Sequence, residues 1–208
     1  MEIQLREVGK RFRYEWIFKN FSYDFIPDQH TALLGPNGSG KSTLMKVISG
    51  HLSPSTGRVQ FLQSEQQKIL DSASIYKEIS FAAPYIELIE EFTLTEILDF
   101  HRRFKAFQKN LDNQTLLEIL GFEKAKHKEL RFFSSGMKQR LKLALAICSD
   151  SPILLLDEPT TNLDNQGTAW YREILQQFSA NRTIVVATNT EADYSFFCKA
   201  QINVFDYK

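Results

Sequence analysis

Gly35-Pro36-Asn37-Gly38-Ser39-Gly40-Lys41-Ser42-Thr43 is the stretch that decides the fold of this 208-residue chain. It matches the pattern G-x-x-x-x-G-K-[S/T], a loop whose backbone amides surround phosphate groups. The apolar run 32–34 before it predicts a buried strand, and residues 44–48 after it predict a helix. Because the pattern stands between a strand and a helix, as its chemistry requires, we predict a binding site for a nucleoside triphosphate.

The residues of this loop have distinct predicted parts in binding. Its glycines allow the backbone to curl so that the amide hydrogens face one point, and the following helix adds the positive end of its dipole. Lys41 can reach the β- and γ-phosphates, and Ser42 can offer its hydroxyl to a magnesium ion. The candidate nucleotide-binding residues of the loop are Gly35, Pro36, Asn37, Gly38, Ser39, Gly40, Lys41, Ser42 and Thr43.

A second segment indicates hydrolysis. Residues 153–156 are four consecutive apolar residues, typical of a strand buried on both faces of a parallel sheet. Asp157 and Glu158 follow at the carboxyl end of that strand, where the ligands of open parallel sheets bind. We predict that Asp157 supports the magnesium ion and that Glu158 is the catalytic residue that polarises an attacking water. The alternative is that the two acids belong to a solvated turn.

A third motif narrows the class of protein. Residues 133–140, with the sequence FSSGMKQR, open a predicted helix whose N-cap is Ser134, and free backbone amides at such a helix start can bind an anion. The motif precedes the pair Asp157 and Glu158, and residues 161–164, with the sequence TNLD, follow that pair. In order and spacing these motifs resemble those of the ATP-binding cassette (ABC) ATPases, and the resemblance covers essentially the whole chain.

The resemblance implies a fold and an assembly. The fold class is α/β: a phosphate-loop NTPase core with an antiparallel β subdomain and an inserted α-helical subdomain at about 85–150, within a single domain of residues 1–208. Two chains would form a homodimer around two ATP molecules, with Ser134 and Gly136 of one chain facing the phosphates held by the other. Asp164 corresponds to the family's D-loop aspartate at the nucleotide.

The same resemblance implies cofactors, a partner and a location. The cofactors are ATP and Mg²⁺, and the partner is a transmembrane permease subunit. The expected location is cytoplasmic, on the inner face of the membrane.

The composition weighs against several other classes of protein. The 25 basic and 25 acidic residues cancel, so no global positive field favours nucleic acid, and we expect no nucleic-acid partner. No window approaches the roughly 20 apolar residues of a membrane span, and the first residues lack the apolar core of a signal peptide. Cys148 and Cys198 have no metal or redox spacing, so we predict that both are core thiols.

Two positions depart from the family pattern near the expected γ-phosphate. Asn189 stands after the predicted strand 183–188, where the family has a histidine. A neutral hydrogen bond is roughly half as strong as a charge-assisted one, so we expect Asn189 to contact the nucleotide but to slow hydrolysis. Pro84 stands where the family has a glutamine that senses magnesium, and it has no side-chain ligand. The candidate substitutes, which are otherwise solvated loop acids, are Glu87, Glu90 and Glu91.

The adenine-stacking aromatic has three candidates. Phe12 has the best spacing, and Tyr14 and Trp16 are the alternatives; all three lie after the first predicted strand. A further apolar region follows Pro84. It either packs the helical core or forms a groove for a membrane partner, and it comprises residues 85–92, Phe100, Phe104 and Phe107.

Local patterns predict the remaining elements. A capping box at Thr93–Glu96 begins a helix that runs to about Gln108. Asp112 begins another helix, which ends at Gly121. Further strands are predicted at 3–8, 16–25, 58–62 and 202–205.

The sequence leaves two other functions open. One is an ABC ATPase that does not transport, acting instead on DNA, ribosomes or the cell-division machinery. The other is a nucleotide-dependent regulatory module with low turnover, which the replacements at Pro84 and Asn189 favour.

Overall fold

The structure, a computed structural model, describes residues 1–63, 68–70 and 74–208. The strands are β1 (Glu2–Phe12), β2 (Glu15–Phe25), β3 (Thr31–Leu34), β4 (Thr56–Gln63), β5 (Lys68–Ile69), β6 (Ile79–Ala82), β7 (Ile153–Asp157), β8 (Thr183–Ala187) and β9 (Ala200–Asn203). The α-helices are α1 (Lys41–Ile48), α2 (Leu94–Phe104), α3 (Asn113–Leu120), α4 (Ser135–Ile147) and α5 (Asn165–Gln177).

A parallel sheet with the strand order β6-β7-β8-β3-β9 forms the centre of the molecule. Every residue of β7 and β8 is buried, as their continuous apolar sequences predict. Apolar side chains pack on both faces of this sheet. Asp157 pairs with Ala187 at the ends of β7 and β8, so Glu158 and Thr188 begin the adjoining loops at one edge of the sheet. This edge positions the candidate site.

A second, antiparallel sheet has the strand order β2-β1-β4-β5. Strand β1 is longer than the predicted 3–8, because its pairing with β2 continues through register shifts to Phe12 opposite Glu15. The prediction that Phe12 follows the first strand is therefore wrong: Phe12 is its last residue. The alternating pattern predicts too short a strand, because backbone pairing and bulges continue the strand beyond the last alternating apolar residue.

The helices α2, α3 and α4 lie between β6 and β7. The predicted capping box is confirmed: Thr93 Oγ1 accepts from the Glu96 amide, and Glu96 accepts from the Thr93 amide. Asp112 caps α3, and Gly121 ends it in the left-handed conformation, also as predicted. Helix α2 ends at Phe104 rather than near Gln108, because Lys105 is extended and its ammonium donates to the carbonyl of Ile79.

The helix end at Phe104 separates the aromatic residues that the sequence grouped together. Phe107 lies beyond the helix and is buried, whereas Phe104 is exposed. The last strand, β9, also differs from the predicted 202–205. It ends at Asn203, whose side chain accepts from the Phe205 amide and caps a 3₁₀-helix at Val204–Tyr207.

Three further predictions from the sequence concern the start of α4, the two cysteines and membrane-spanning helices. Ser134 is the N-cap of α4, as predicted, and Leu141 and Ala144 on that helix are buried. Cys148 and Cys198 are buried free thiols, and burial raises the pKa of each to about 12. Within the part of the chain that the structure describes, no helix has the length and apolar character needed to span a lipid bilayer.

Candidate functional site

The loop between β3 and α1 has a backbone that requires glycine. Gly35 and Gly40 have φ angles of 137° and 104°, values that side chains rarely adopt. A Cβ atom at Gly40 would lie 2.8 Å from the Ile17 side chain on β2. Helix α1 begins directly after Gly40, so its unpaired first-turn amides face the space above the loop.

This space is a pocket of about 670 Å³ at the carboxyl edge of the parallel sheet. Its volume falls in the range of pockets that bind small molecules. Besides the phosphate loop, it includes one residue of the antiparallel sheet and three from the loops after β7 and β8. The lining residues are Ile17, Asn37, Gly38, Ser39, Gly40, Lys41, Ser42, Thr43, Glu158, Thr161 and Asn189.

The Lys41 ammonium is the centre of a hydrogen-bond network in this pocket. It donates to the carbonyl of Gly35 at 2.7 Å and to Asn189 Oδ1 at 2.9 Å, and it lies 3.8 Å from Glu158 Oε1. The amide of Asn189 in turn donates to Asn37 Oδ1 at 2.6 Å. Asn189 therefore lies in the pocket and joins the loop after β8 to the phosphate loop.

Asp157 is buried at the end of β7, with one carboxylate oxygen in use and the other without a partner. Its Oδ2 accepts from the Tyr85 hydroxyl at 3.1 Å, while its Oδ1 has no hydrogen-bond partner. Burial raises the pKa of Asp157, and the Tyr85 hydrogen bond, the nearby Ser42 hydroxyl and the charges of Lys41 and Lys46 oppose the rise. A buried carboxylate oxygen without a partner beside a serine hydroxyl fits a magnesium ion, which prefers oxygen ligands.

This arrangement suits an ion that takes some of its ligands from the protein and the others from a bound nucleotide. No group of three or more His, Cys, Asp or Glu side chains suited to a metal occurs among the described residues. Magnesium is commonly held by one or two protein ligands and by the phosphates of the substrate. Ser42 and Asp157 are the residues that would hold such an ion.

Glu158 begins the loop after β7 with a φ angle of 46°, a left-handed conformation uncommon for glutamate. Burial raises the pKa of its carboxyl, the charge of Lys41 lowers it, and Asp157 and Asp193 raise it. The Thr188 hydroxyl also interacts with this carboxylate and lowers its pKa. The left-handed backbone and the interactions with Lys41 and Thr188 direct the Glu158 carboxylate into the pocket, where a general base would contact water.

Asp193 is a buried acid behind the pocket that sequence reasoning missed. Its two carboxylate oxygens accept from the hydroxyls of Thr160 and Thr188, and the Tyr171 hydroxyl donates to its carbonyl. It thereby links the loop after Glu158 to the loop that carries Asn189. No local pattern signals this role, because Thr160 lies 33 residues away in sequence.

Pro84, which stands where the resemblance places the magnesium-sensing glutamine, does not line the phosphate pocket. Tyr85, not Pro84, contacts Asp157. The three proposed substitutes do not line the pocket: Glu87, Glu90 and Glu91 are exposed, and Glu90 pairs with Lys138.

The aromatic candidates for stacking on adenine lie outside the pocket lining, which has Ile17 at that end. Phe12 is 49% exposed and lies against the Lys10 ammonium, and Tyr14 is 97% exposed. The Trp16 ring packs between Arg11 and Lys19. The assignment of Phe12 stays a prediction.

The third motif forms a separate cavity of about 320 Å³. Ser134 Oγ accepts from the Met137 amide at 3.2 Å, and Asp164 Oδ1 accepts from the Gly167 amide at 2.7 Å. A Cβ atom at Gly136 would lie 3.0 Å from the carbonyl of Asn162, so glycine permits this close approach. This cavity shares no lining residue with the phosphate pocket. One chain therefore does not bring Ser134, Gly136 and Asp164 to Lys41.

A scan against protein-family models matches residues 18–161 to the family described as "ABC transporter". The relatives include ATP-binding cassette sub-family A member 17 of Mus musculus, 32% identical over 180 residues that make up 84% of this chain and 10% of that protein. They also include the uncharacterized ABC transporter ATP-binding protein YybJ of Bacillus subtilis, 32% identical over 94% of this chain and 89% of that protein. The chain thus spans only a small part of the mouse relative.

Solved structures share the fold. One is a putative ABC transporter ATP-binding protein from Pyrococcus furiosus, with a TM-score of 0.80, 19% identity and complete coverage of both chains. Another is described as the dimeric structure of MJ0796, a bacterial ABC transporter cassette, with a TM-score of 0.77, 23% identity and coverage of 98% of this chain and 95% of that one. These likenesses confirm the predicted α/β phosphate-loop fold class.

Proposed function

The chain belongs to the ABC transporter family, and from that premise we propose that it is the ATP-binding and hydrolysing subunit that powers transport through a separate transmembrane partner. The observation that carries the proposal is the convergence of Lys41, Glu158 and Asn189 on one pocket, beside the unpartnered Asp157 Oδ1. These groups serve phosphate binding, water activation and metal binding, the three tasks of an ATPase.

Binding of ATP would exchange internal contacts for contacts with phosphate. The Lys41 ammonium would leave the Gly35 carbonyl and Asn189 for the β- and γ-phosphate oxygens, while the first-turn amides of α1 donate to the same groups. Ser42 and Asp157 would hold Mg²⁺, which neutralises charge on the phosphates when bound. Glu158 would orient a water for attack and accept its proton.

The second cavity supports a homodimer in the ATP-bound state. Ser134 and Gly136 lie at the start of α4, where unpaired amides can bind an anion, yet the phosphate pocket of the same chain lies elsewhere. A second copy would bring its nucleotide to this cavity, with Asp164 at the same boundary. The dimeric cassette among the similar structures agrees with this arrangement.

An apolar cavity of about 400 Å³ between β6, α2 and α4 supports a transmembrane permease as partner. Phe100 and Phe104 are exposed at its rim, and Ile86, Leu88 and Ile89 line it from the preceding loop. Exposed apolar surface of this kind marks interaction sites. The partner would hold the chain at the inner, cytoplasmic face of the membrane. The net charge of zero gives no support to a nucleic-acid partner.

The experiment that tests nucleotide binding is an ATP titration of the Lys41→Ala chain. Removal of the ammonium should weaken binding at least about tenfold, equivalent to 1.4 kcal/mol. Lys124→Ala, which removes an exposed lysine that does not line the pocket, is the matched control and should bind ATP like the parent. An affinity for ATP that is the same in Lys41→Ala and the control would contradict the proposed role of the pocket.

A nucleotide-dependent module with low turnover is the second candidate, because Asn189 offers the γ-phosphate an uncharged amide. Steady-state hydrolysis by the purified chain separates the two candidates. Turnover in the range of about 1 to 10³ per second, ordinary for enzymes, would support the transporter motor.

A further inference from the structure

We propose that Tyr85 is a positioning residue for Asp157, the metal-binding carboxylate. Its hydroxyl holds one oxygen of Asp157 so that the other oxygen stays directed to the magnesium site. The inference rests on the proposed function, since it assumes that Asp157 binds the metal that accompanies ATP.

The first argument is that the two carboxylate oxygens of Asp157 have different surroundings. The Tyr85 hydroxyl donates to Oδ2 at 3.1 Å, and Oδ1 is buried without a partner. A carboxylate turns as a rigid plane, so a donor that fixes one oxygen also fixes the direction of the other. Hydrogen bonds of this kind to ligating carboxylates orient the ligands of metal sites.

The second argument is that the Tyr85 ring is itself held from two sides. Phe81 on β6 meets it edge to face, with ring centroids 6.3 Å apart. The Lys46 ammonium, on the helix that follows the phosphate loop, lies 4.2 Å from its centroid. Because these contacts already hold the ring, Tyr85 loses little further conformational entropy when its hydroxyl binds Asp157.

The third argument is the anchoring of the backbone that carries Tyr85. The Lys142 ammonium donates to the carbonyls of Pro84 at 3.0 Å and Ala83 at 3.4 Å, and the Ile86 amide closes a turn onto Ala83. Lys142 belongs to α4, the helix that begins at the Ser134 motif. The position of α4 is thus tied to the orientation of the metal-binding carboxylate through Pro84 and Tyr85.

The test is a titration of Mn²⁺, a spectroscopic substitute for Mg²⁺, into the ATP-loaded chain, followed by electron paramagnetic resonance. Both chains compared carry Glu158→Gln to prevent turnover. The Tyr85→Phe substitution keeps the ring contacts with Phe81 and Lys46 and removes only the hydroxyl. We expect Mn²⁺ to bind about 10- to 100-fold more weakly, the usual cost of losing an outer partner of a metal ligand. ATP affinity measured in EDTA should not change.

Tyr76→Phe is the matched control, because Tyr76 is 61% exposed and does not line the phosphate pocket. Unchanged Mn²⁺ affinity in Tyr85→Phe would overturn the inference. Tighter Mn²⁺ binding would also overturn it, since it would mean that Tyr85 competes with the metal for Asp157. If the chain with Tyr85 intact bound ATP neither in EDTA nor with Mn²⁺, the proposed function itself would fail, and the inference with it.

Discussion

The two candidate half-sites of this chain differ in how their polar groups are bonded. In the phosphate pocket, Lys41, Asn189 and Asn37 bond to one another across loops that are far apart in sequence. In the Ser134 cavity, the side chains of Ser134 and Asp164 accept hydrogen bonds from amides three residues ahead, within their own helix starts. The phosphate pocket is therefore already assembled from several elements of one chain. The Ser134 cavity consists of neighbouring helix starts, and its ligand would have to be held by another site.

The largest effect should come from the phosphate pocket. Glu158→Gln removes the base but retains the shape of the side chain, so ATP should still bind while hydrolysis falls at least about 100-fold. The variant should also accumulate as an ATP-bound dimer, because the ATP that joins the two chains is no longer hydrolysed. Sizing chromatography with ATP checks this, and a variant that stays monomeric under conditions where the parent dimerises would count against the role of Glu158.

The next effect concerns Asn189, the pocket residue that departs from the family. Asn189→His supplies a donor that can be charged, and a hydrogen bond to a charged group contributes about 1.5–3 kcal/mol. If this is felt only in the transition state, kcat should rise about 10- to 100-fold. The variant should also gain a pH dependence near 6.5, because imidazole titrates there.

Steady-state hydrolysis by the parent and the Asn189→His variant from about pH 6 to 8.5 tests this prediction, spanning the usual pKa of histidine. A variant no faster than the parent would mean that the amide is an adequate substitute or does not meet the phosphate. Loss of activity in Asn189→Ala would then identify the first of these explanations.

The smallest effect sharpens the contrast at the second cavity. Ser134→Ala and Asp112→Ala each remove an N-cap, so each should lower the free energy of unfolding by about 1 kcal/mol. Asp112 caps α3 and lines neither cavity, and is therefore the matched control. Only Ser134→Ala should weaken the ATP-dependent dimer, by about tenfold. Thermal unfolding and sedimentation measure the two quantities, and equal dimerisation by both variants would remove Ser134 from the interface.

The features that the sequence predicted well depend on chemistry within a few residues. The phosphate loop, the Thr93–Glu96 box and the caps at Ser134 and Asp112 all combine a residue type with a short spacing. Such features depend little on tertiary context.

The features that the sequence missed depend on distant partners. Tyr85 meets Asp157 across 72 residues, and no spacing rule predicts that contact. Helix α2 stops early because Lys105 reaches a carbonyl of β6. Strand β1 extends because β2 pairs with it. In each case tertiary structure overrides a local preference.

The central claim is that the working site is shared between two chains, and a mixing experiment tests it most directly. Lys41→Ala disables the phosphate pocket, and Gly136→Asp places a carboxylate and its Cβ against the Asn162 carbonyl in the other cavity. Each variant alone should be inactive. In a mixture that pairs at random, half of the dimers contain one chain of each variant. Each mixed dimer keeps one intact site of two, so about a quarter of the parent's ATPase activity should return. A mixture no more active than its two components would contradict the shared site.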